Sequence, residues 1–342
     1  METKFIIENL DVVKPALAKK PLVPLFNHFC FSDKLVKAFN EELFMETACD
    51  IDLDIALPGE LFYRFLSTID KNISLIKNKN VVEIATKDKK IINKIQGLET
   101  KDFPKIECNK KKLKDSFKIT KKFISNLEEI IKFVGEDLMF PHYIGVLVTS
   151  KFMYGTDGRI IAKCLSDLKI KNEIFFPKAL CLELIRLSEQ LDKIEIYENL
   201  IKVSGVKTKI IRLISDISFP DCKGSFKSLV DKHKNIKLID TPFDFSQSIN
   251  RLCLVGEDLL DKICSVKFSK SSIEFELDNK ANSHLKEKFN IKTKFSDDIK
   301  VDIKSFEKCV SNTVKFTLLD GDTKVLYFEN EKNLQVIMAV LS

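Results

Sequence analysis

The chain has 342 residues, of which 44% are hydrophobic and 31% charged, with nine cysteines and a formal net charge of +6. This length suits two or three domains, and the composition indicates a soluble globular protein, because no apolar run approaches the roughly 18 residues of a membrane span. The cysteines form no CxxC pair and the first residues lack a signal-peptide pattern, so free thiols in the reducing cytoplasm are expected. The basic balance fits a nucleic-acid partner, although many basic proteins bind none.

The first third of the chain, 1–108, predicts short strands around two helices. Apolar residues from Leu10 to Leu17 recur at helical spacing, and a second helix is predicted over 58–69 because a proline opens an apolar stripe there. Pro15 lies inside the first stripe and predicts a kink or an early helix start. Strands are predicted at 5–7, 21–31, 43–55, 73–76, 81–84 and 91–95.

The remaining two thirds, 109–225 and 226–342, predict a similar order of elements. Helices are predicted up to Val134, over 177–190, over 245–255 and from Ile303 to Val310. Strands are predicted at 116–119, 143–148, 152–154, 159–164, 193–197, 200–203, 208–214, 263–268, 272–277, 289–295, 313–318, 324–328 and 335–341. Each third therefore combines two helices with about eight short strands, which is an α+β pattern.

Two repeated landmarks indicate that the thirds are copies of one module. The pentapeptide VGEDL begins at Val134 and again at Val255, each time after a helical apolar stripe and before an apolar strand. Its glycine predicts a helix stop, because glycine takes a left-handed backbone at little cost. A Phe-Pro pair closes a lysine-rich segment at Pro104 and again at Pro220. We therefore predict three tandem domains, 1–108, 109–225 and 226–342.

The sequence contains no recognisable catalytic or metal-binding motif. Its four histidines lie far apart, and with ten glycines it has no phosphate-cradling loop. The alternating Asp50, Asp52 and Asp54 raise a metal hypothesis, but Ile55 and Leu61 stand where a calcium loop needs glycine and glutamate. The aspartates are therefore interpreted as the solvated face of a strand. No enzymatic activity and no cofactor are predicted.

Several segments resemble one protein family. The sequence GTDGRIIA at 155–162 resembles the ATDGHRLA segment of the bacterial-type DNA polymerase sliding clamp, the β processivity subunit. The triplets at 219–221 and 102–104 look like that family's Phe-Pro-Asp and its first-domain counterpart. The stretch 21–25 is similar to the family's Arg-Pro-Thr-Leu-Pro-Ile segment, and 336–341 is similar to its Val-Val-Met-Pro-Met-Arg-Leu ending. These landmarks occur in the expected order along the whole chain.

The resemblance implies a non-catalytic ring protein. Three similar domains per chain would form, in a head-to-tail homodimer, a closed ring of six with helices lining the hole. The ring would encircle double-stranded DNA without reading its sequence and would tether the replicative DNA polymerase. The polymerase and a clamp-loader ATPase would bind through short peptide motifs.

The absence of tryptophan and the richness in lysine, isoleucine and phenylalanine are typical of an AT-rich genome, a viral one included.

The resemblance also implies two sets of site residues. The peptide-binding set is Tyr143, Thr156, Gly158, Arg159, Ile160, Ile161, Pro220, Leu260, Val336, Met338, Ala339, Val340 and Leu341. The DNA-facing set is Lys14, Lys20, Arg64, Lys122, Lys178, Arg186, Arg251 and Lys304. The family's His-Arg pair is replaced here by Arg159-Ile160, which predicts a clamp matched to its own divergent polymerase.

Plainer interpretations of the same residues stay open. The apolar set could be ordinary core of two adjacent domains, and the lysines could lie on solvated helix faces. A repeat-built scaffold that binds DNA or protein without forming a ring is the alternative function, and an enzyme is disfavoured by the missing motifs. The mass in solution separates the first two functions, because a clamp of this kind runs as a dimer of 39.3 kDa chains.

Overall fold

The computed structural model describes residues 1–214, 217–233, 236–242, 244–259, 262–279, 283–293, 295–320 and 323–341. The chain divides into two compact units: Met1–Lys121 with Glu183–Asp216, and Lys122–Leu182 with Ile217–Ser342. The predicted division into three domains stays a prediction. None of the helices in the described ranges has the length and apolar character needed to cross a lipid bilayer.

The described residues form seven α-helices and 23 strands. The helices are α1 Thr3–Val13, α2 Gly59–Ser67, α3 Lys121–Ile130, α4 Lys178–Arg186, α5 Cys222–Leu229, α6 Phe245–Val255 and α7 Ile303–Val310. The first strands are β1 His28–Ser32, β2 Leu35–Phe39, β3 Leu43–Ala48, β4 Ile55–Pro58, β5 Ile73–Asn78, β6 Val81–Thr86, β7 Ile92–Gln96, β8 Leu113–Lys118, β9 Gly145–Val148, β10 Phe152–Thr156, β11 Ile160–Leu165 and β12 Ile174–Pro177. The remaining strands are β13 Lys193–Tyr197, β14 Leu200–Ser204, β15 Thr208–Leu213, β16 Ile239–Asp240, β17 Ile263–Ser269, β18 Ser272–Asn279, β19 Ser283–Phe289, β20 Asp297–Asp302, β21 Lys315–Leu319, β22 Val325–Glu329 and β23 Gln335–Ala339.

The helices follow from apolar residues at helical spacing and from polar caps. In α3, Phe123, Leu127 and Ile130 lie three or four residues apart and are all buried, so one face of the helix packs inward. Two helices begin at aspartates whose side chains accept backbone N–H groups: Asp221 caps α5 and Asp302 caps α7. These caps satisfy donors that the first helical turn leaves without a partner.

The first unit is built on an eight-stranded sheet in the order β4-β1-β2-β3-β15-β14-β13-β8, with a smaller sheet β5-β6-β7 beside it. At its centre β3 pairs antiparallel with β15, and Phe44 lies opposite Ile211. The helix α1 packs on α2 and on β3. A strand of the first predicted domain therefore pairs with a strand of the second, and the two form one continuous sheet.

The second unit repeats this arrangement with other strands. Its eight-stranded sheet runs β12-β9-β10-β11-β23-β22-β21-β16, and its smaller sheet runs β19-β18-β17-β20. Here β11 pairs antiparallel with β23, and Ile161 lies opposite Ile337. The helices α6 and α7 pack on each other. The same junction of two four-stranded halves therefore occurs once in each unit.

The repeated Phe-Pro pairs have equivalent packing in the two units. Phe103 belongs to a buried cluster over the first large sheet with Phe44 and Ile211. Phe219 packs against a buried cluster over the second sheet that includes Ile337 and Phe226 of α5. In both units a connecting segment lays its phenylalanine on the same face of the sheet, which explains why this motif recurs in the sequence.

Several predicted elements are wrong. Residues 5–7, predicted as a strand, lie within α1, whose buried Ile6, Leu10 and Val13 share one helical face. The strand predicted at 289–295 is instead Ser283–Phe289, and the strand predicted from residue 21 begins only at His28, after a short helical turn. Between β3 and β4 the aspartates are exposed and Ile51 and Leu53 are buried, so the alternation is correct, but this segment is not a strand. The helix α5 was not predicted.

Candidate protein-docking site

The turn between β10 and β11 is fixed by its own side chains. The Asp157 Oδ1 atom accepts the backbone N–H groups of Arg159 at 3.0 Å and Ile160 at 2.9 Å. The Thr156 hydroxyl donates to the Ile160 carbonyl at 2.7 Å and accepts the Gly158 N–H at 3.1 Å. Gly158 has a φ of 92°, which favours glycine. The TDG sequence therefore specifies a rigid turn.

Tyr143 packs directly on this turn. A Cβ atom built on Gly158 would lie 2.9 Å from Tyr143 Cε2, so a larger residue would displace the ring. On its other side the backbone of Gly135 approaches Tyr143, and the Gly135 N–H donates to the carbonyls of Tyr143 at 2.8 Å and Thr156 at 3.2 Å. The first VGEDL glycine is thus required for close backbone approach and not for a left-handed helix stop. The second copy, Gly256, follows α6 with a φ of −87°, outside the left-handed region.

The chain end lies beside this turn. In the β11–β23 pair, Ile160 lies opposite Met338 and Ala162 lies opposite Val336. The Ala339 N–H continues the ladder by donating to the Arg159 carbonyl at 3.0 Å. Two segments far apart in the sequence are therefore neighbours in one sheet.

The two faces of the sheet divide the predicted peptide-binding residues, because successive strand side chains point to opposite faces. Ile160, Val336 and Met338 point into the core, with exposed fractions of 0%, 0% and 1%. Thr156, on the other face, is also buried. The more accessible members are Tyr143, Gly158, Arg159, Ile161, Pro220, Ala339, Val340 and Leu341. Leu260 lies outside the described residues.

The face that carries Ile161 is partly covered by the segment containing α5. Ile161 and its strand partner Ile337 pack with Cys222 and Phe226 of that helix. Pro220 immediately precedes the capping residue of α5. The sequence comparison missed Ile337, although its position directly across from Ile161 follows once β11 and β23 are aligned.

A surface pocket of about 580 Å³, here called the chain-end pocket, opens beside the last residues of the chain. Its wall contains Val340 and Leu341, and the Leu341 N–H donates to the Lys300 carbonyl at 2.9 Å. The other lining residues are Ser265, Asp298, Ile299, Lys300, Thr323 and Lys324. A pocket of this size with aliphatic walls and a few charged groups can accept one or two side chains of an extended peptide. These residues carry no local sequence signal and were missed.

Ion pairs join the β10–β11 turn to α7. The Arg159 Nη1 atom lies 2.7 Å from Asp302 Oδ2, at the N-terminus of α7, and Lys308 Nζ lies 3.2 Å from Asp157 Oδ2. The Arg159 side chain is 63% exposed, so its remaining donors face solvent. The arginine that replaces the family's histidine therefore lies at the surface, where it can contact a bound partner.

Most of the predicted DNA-facing residues have partners within their own unit. Lys14 Nζ lies 3.5 Å above the centre of the Tyr63 ring, and Arg186 donates to the carbonyls of Asp11 and Val12 at the end of α1. The other ion pairs are Arg64 with Glu60, Lys122 with Asp167, Lys178 with Glu136, and Arg251 with Glu287. Lys20 and Lys304 are exposed and form no ion pair with a described residue. Within the described ranges no cluster of histidine, cysteine or carboxylate residues is arranged to hold a metal ion.

Comparison with known proteins identifies similar solved structures. No family model matches the sequence, and no curated protein matches it. The structure superposes on the DNA polymerase III subunit beta sliding clamp from Bartonella birtlesii, crystallised with griselimycin, with a TM-score of 0.85 and 15% identity over 100% of this chain and 98% of that one. A Thermotoga maritima DNA polymerase III beta subunit gives 0.82 and 13% over 100% and 98%. A Helicobacter pylori beta clamp bound to a DNA ligase peptide gives 0.80 and 15% over 100% and 99%.

Proposed function

We propose that this chain, which has the fold of the bacterial DNA polymerase sliding clamps, is itself a sliding clamp. Two chains would close head to tail into a ring around double-stranded DNA and tether the replicative polymerase in the cytoplasm, without catalysis or a cofactor. The observation that carries the proposal is the likeness to these clamps over 100% of the chain at TM-scores of 0.80 to 0.85. A fold alone does not fix a function, so the site and the sheet edges must supply the rest.

The polymerase and a clamp-loader ATPase would dock short peptides at the chain-end pocket and the β10–β11 turn. The Helicobacter pylori clamp, which has the same fold, was crystallised with a DNA ligase peptide, and this supports a peptide as the ligand class. In this chain the accessible Leu341, Val340 and Ile161 would contact aliphatic anchors, and Arg159 would contact the peptide backbone or a carboxylate.

DNA contacts would be electrostatic and independent of sequence. A ring that holds DNA topologically needs only positive charge near the phosphates, and fixed contacts would slow sliding. Among the predicted residues, Lys20 and Lys304 are the best candidates, because neither forms an ion pair with a described residue. Arg186 is more strongly committed to the fold, since its guanidinium caps the end of α1.

Ring closure would reuse the strand junction that occurs once in each unit. The strand β7 is one of the two edge strands of the first small sheet, and β19 is one of the two edge strands of the second. β7 holds the position that β15 and β23 hold in the large sheets, and β19 holds the position that β3 and β11 hold. A sheet edge of this kind is a template for pairing with another chain. We infer that β7 of one chain pairs with β19 of its partner, which would form the same junction a third time.

The internal repeat also supplies the register of this pairing. In the first large sheet Ile211 of β15 pairs with Lys202 of β14 on one side and with Phe44 of β3 on the other. The residue of β7 that corresponds to Ile211 is Lys94, which pairs with Glu83 of β6. The same strand offsets, applied to β18 and β19, make Lys286 the counterpart of Phe44. Lys94 would therefore pair with Lys286, Ile92 with Lys288 and Ile95 with Leu285. The pair of Ile92 and Lys288 would lie on the solvent-facing side of the ring-closing sheet.

Cysteine crosslinking tests this closure. In the double variant Ile92→Cys/Lys288→Cys, oxidation is expected to give a covalent dimer, because paired residues bring the Cα atoms within the roughly 7 Å that a disulfide spans. The yield is read on a non-reducing gel. The matched control is Ile92→Cys/His284→Cys, whose second cysteine lies on the same strand face about 13 Å away.

Two results would contradict the closure. Equal crosslinking of both double variants would mean that the register is wrong. No crosslinking of either, with a monomeric mass in solution, would favour the scaffold alternative over a ring. Wild type, oxidised in parallel, controls for the nine native cysteines, of which Cys108 and Cys253 are half-buried and the others buried.

A further inference from the structure

The loop between α3 and β9 exposes an unusual run of apolar side chains. Leu138 is 86% exposed, Met139 is 81% exposed and Phe140 is 47% exposed. A single exposed apolar residue needs no explanation. Three in succession at the tip of one loop expose a contiguous apolar surface to solvent. We call residues 137–142 the apolar loop.

The apolar loop is held in place by hydrogen bonds. The Asp137 side chain accepts the Met139 N–H at 2.9 Å, and the Asp137 carbonyl accepts the Phe140 N–H at 3.0 Å. Past the tip, the Tyr143 N–H donates to the Phe140 carbonyl at 2.9 Å, and the His142 and Tyr143 ring centres lie 4.2 Å apart. A surface ordered before binding loses less conformational entropy when a partner docks.

This loop is continuous with the candidate docking site. It ends at Tyr143, whose ring packs against Gly158 in the β10–β11 turn. The Gly135 N–H, just before the loop, donates to the carbonyls of Tyr143 and Thr156. A partner seated at the turn would therefore have the exposed tip beside it.

The charge of the loop favours a protein over nucleic acid. No lysine or arginine occurs between residues 136 and 150, Asp137 is acidic, and the acidic Glu136 forms an ion pair with Lys178. Phosphate groups are bound mainly by cationic and polar side chains, and the leucine, methionine and phenylalanine side chains of the tip are neither. Exposed methionine and aromatic side chains are instead typical of protein-docking surfaces.

We propose that the apolar loop is a second contact for the polymerase, receiving an apolar surface of that protein outside its docking peptide. The proposal rests on the proposed function and names a contact beyond the peptide pocket. The peptide would anchor at Leu341, and the loop would add affinity that only the whole polymerase can use. Two linked contacts raise the overall affinity because the second forms within the same complex.

The test compares the whole polymerase with its isolated peptide. The triple variant Leu138→Ser/Met139→Ser/Phe140→Ser is titrated with the replicative polymerase of the same genome and, separately, with a ten-residue peptide carrying that polymerase's docking motif. The variant is expected to bind the polymerase at least tenfold more weakly and the peptide within twofold of wild type. The control Leu22→Ser/Val23→Ser alters another exposed apolar pair, 87% and 43% exposed, and is expected to change neither affinity.

Each other outcome overturns the proposal. Unchanged polymerase binding would show that the loop makes no contact, and an equal loss of polymerase and peptide would show that it only supports the pocket. Weaker retention on DNA without polymerase would make it a nucleic-acid contact. If wild type bound neither the polymerase nor the peptide, the proposed function would fail first, which distinguishes the two failures. Because the replaced side chains are exposed, an unchanged melting temperature confirms that the variant is folded.

Discussion

Replacing Leu341 with aspartate is expected to abolish stimulation of the polymerase on primed circular DNA. Leu341 lines the chain-end pocket, where an aliphatic peptide anchor would bury it further. A carboxylate there would replace an apolar contact with a hydrated charge that an aliphatic anchor cannot pair with, and anchor residues of this kind cost about 2 kcal/mol or more when removed, a factor of roughly 30 in affinity. Product length per binding event is the measurement, made at limiting clamp concentration.

The matched control places the same charge on another exposed apolar residue. Val206 is 90% exposed in the turn between β14 and β15, so Val206→Asp is expected to leave both stimulation and stability unchanged. Full stimulation by the Leu341→Asp variant, with a folded and dimeric protein, would show that the polymerase docks elsewhere. Equal losses in both variants would point to a general effect of charge.

Replacing Met338 with alanine is expected to lower the free energy of unfolding by about 2–5 kcal/mol, the usual cost of truncating a fully buried aliphatic chain. Met338 is 1% exposed and lies between Ile160 of β11 and Leu326 of β22, both 0% exposed. Denaturant unfolding followed by circular dichroism gives the difference.

The neighbouring Leu341→Ala variant is the control for this effect. Its side chain is only half-buried, and its loss is expected to cost less than about 1 kcal/mol. The two residues stand three positions apart and both come from the same family motif, yet one would carry stability and the other docking. A Met338→Ala protein as stable as wild type would mean that β23 does not pack as described.

The fold and the chain segments near the candidate site were easier to predict from the sequence than the side chains that this site exposes. The resemblance is confirmed at the level of the fold, and the β10–β11 turn and chain end lie side by side. Side chains alternate between the two faces of a strand, and this alternation divides the predicted peptide-binding residues between the faces. Only the alignment of β11 with β23 reveals that Met338 points inward while Ile161 does not. Lys300 and Ser265 were not predictable, because strand pairing brings them to Leu341 from distant positions.

The errors in local structure have physical causes. Phe5, Ile6 and Ile7 form a short apolar run that suits a strand, but Ile6 continues the helical face of Leu10 and Val13, and burial of that face decides the outcome. The helix α5 contains Gly224 and Ser225, which are poor helix formers, so its pattern was weak. Its stability comes from the Asp221 cap and from the buried Phe226.

The measurement that tests the central claim most directly is retention of the covalently closed ring on DNA. The Ile92→Cys/Lys288→Cys protein is mixed in its reduced form with nicked circular plasmid, oxidised, and passed through a gel-filtration column in 1 M salt, before and after a single restriction cut. We predict that the crosslinked dimer stays with the circular plasmid and leaves the linear one, since screening removes electrostatic binding but not a topological link. Equal retention on both forms, or none on the circle, would contradict encirclement.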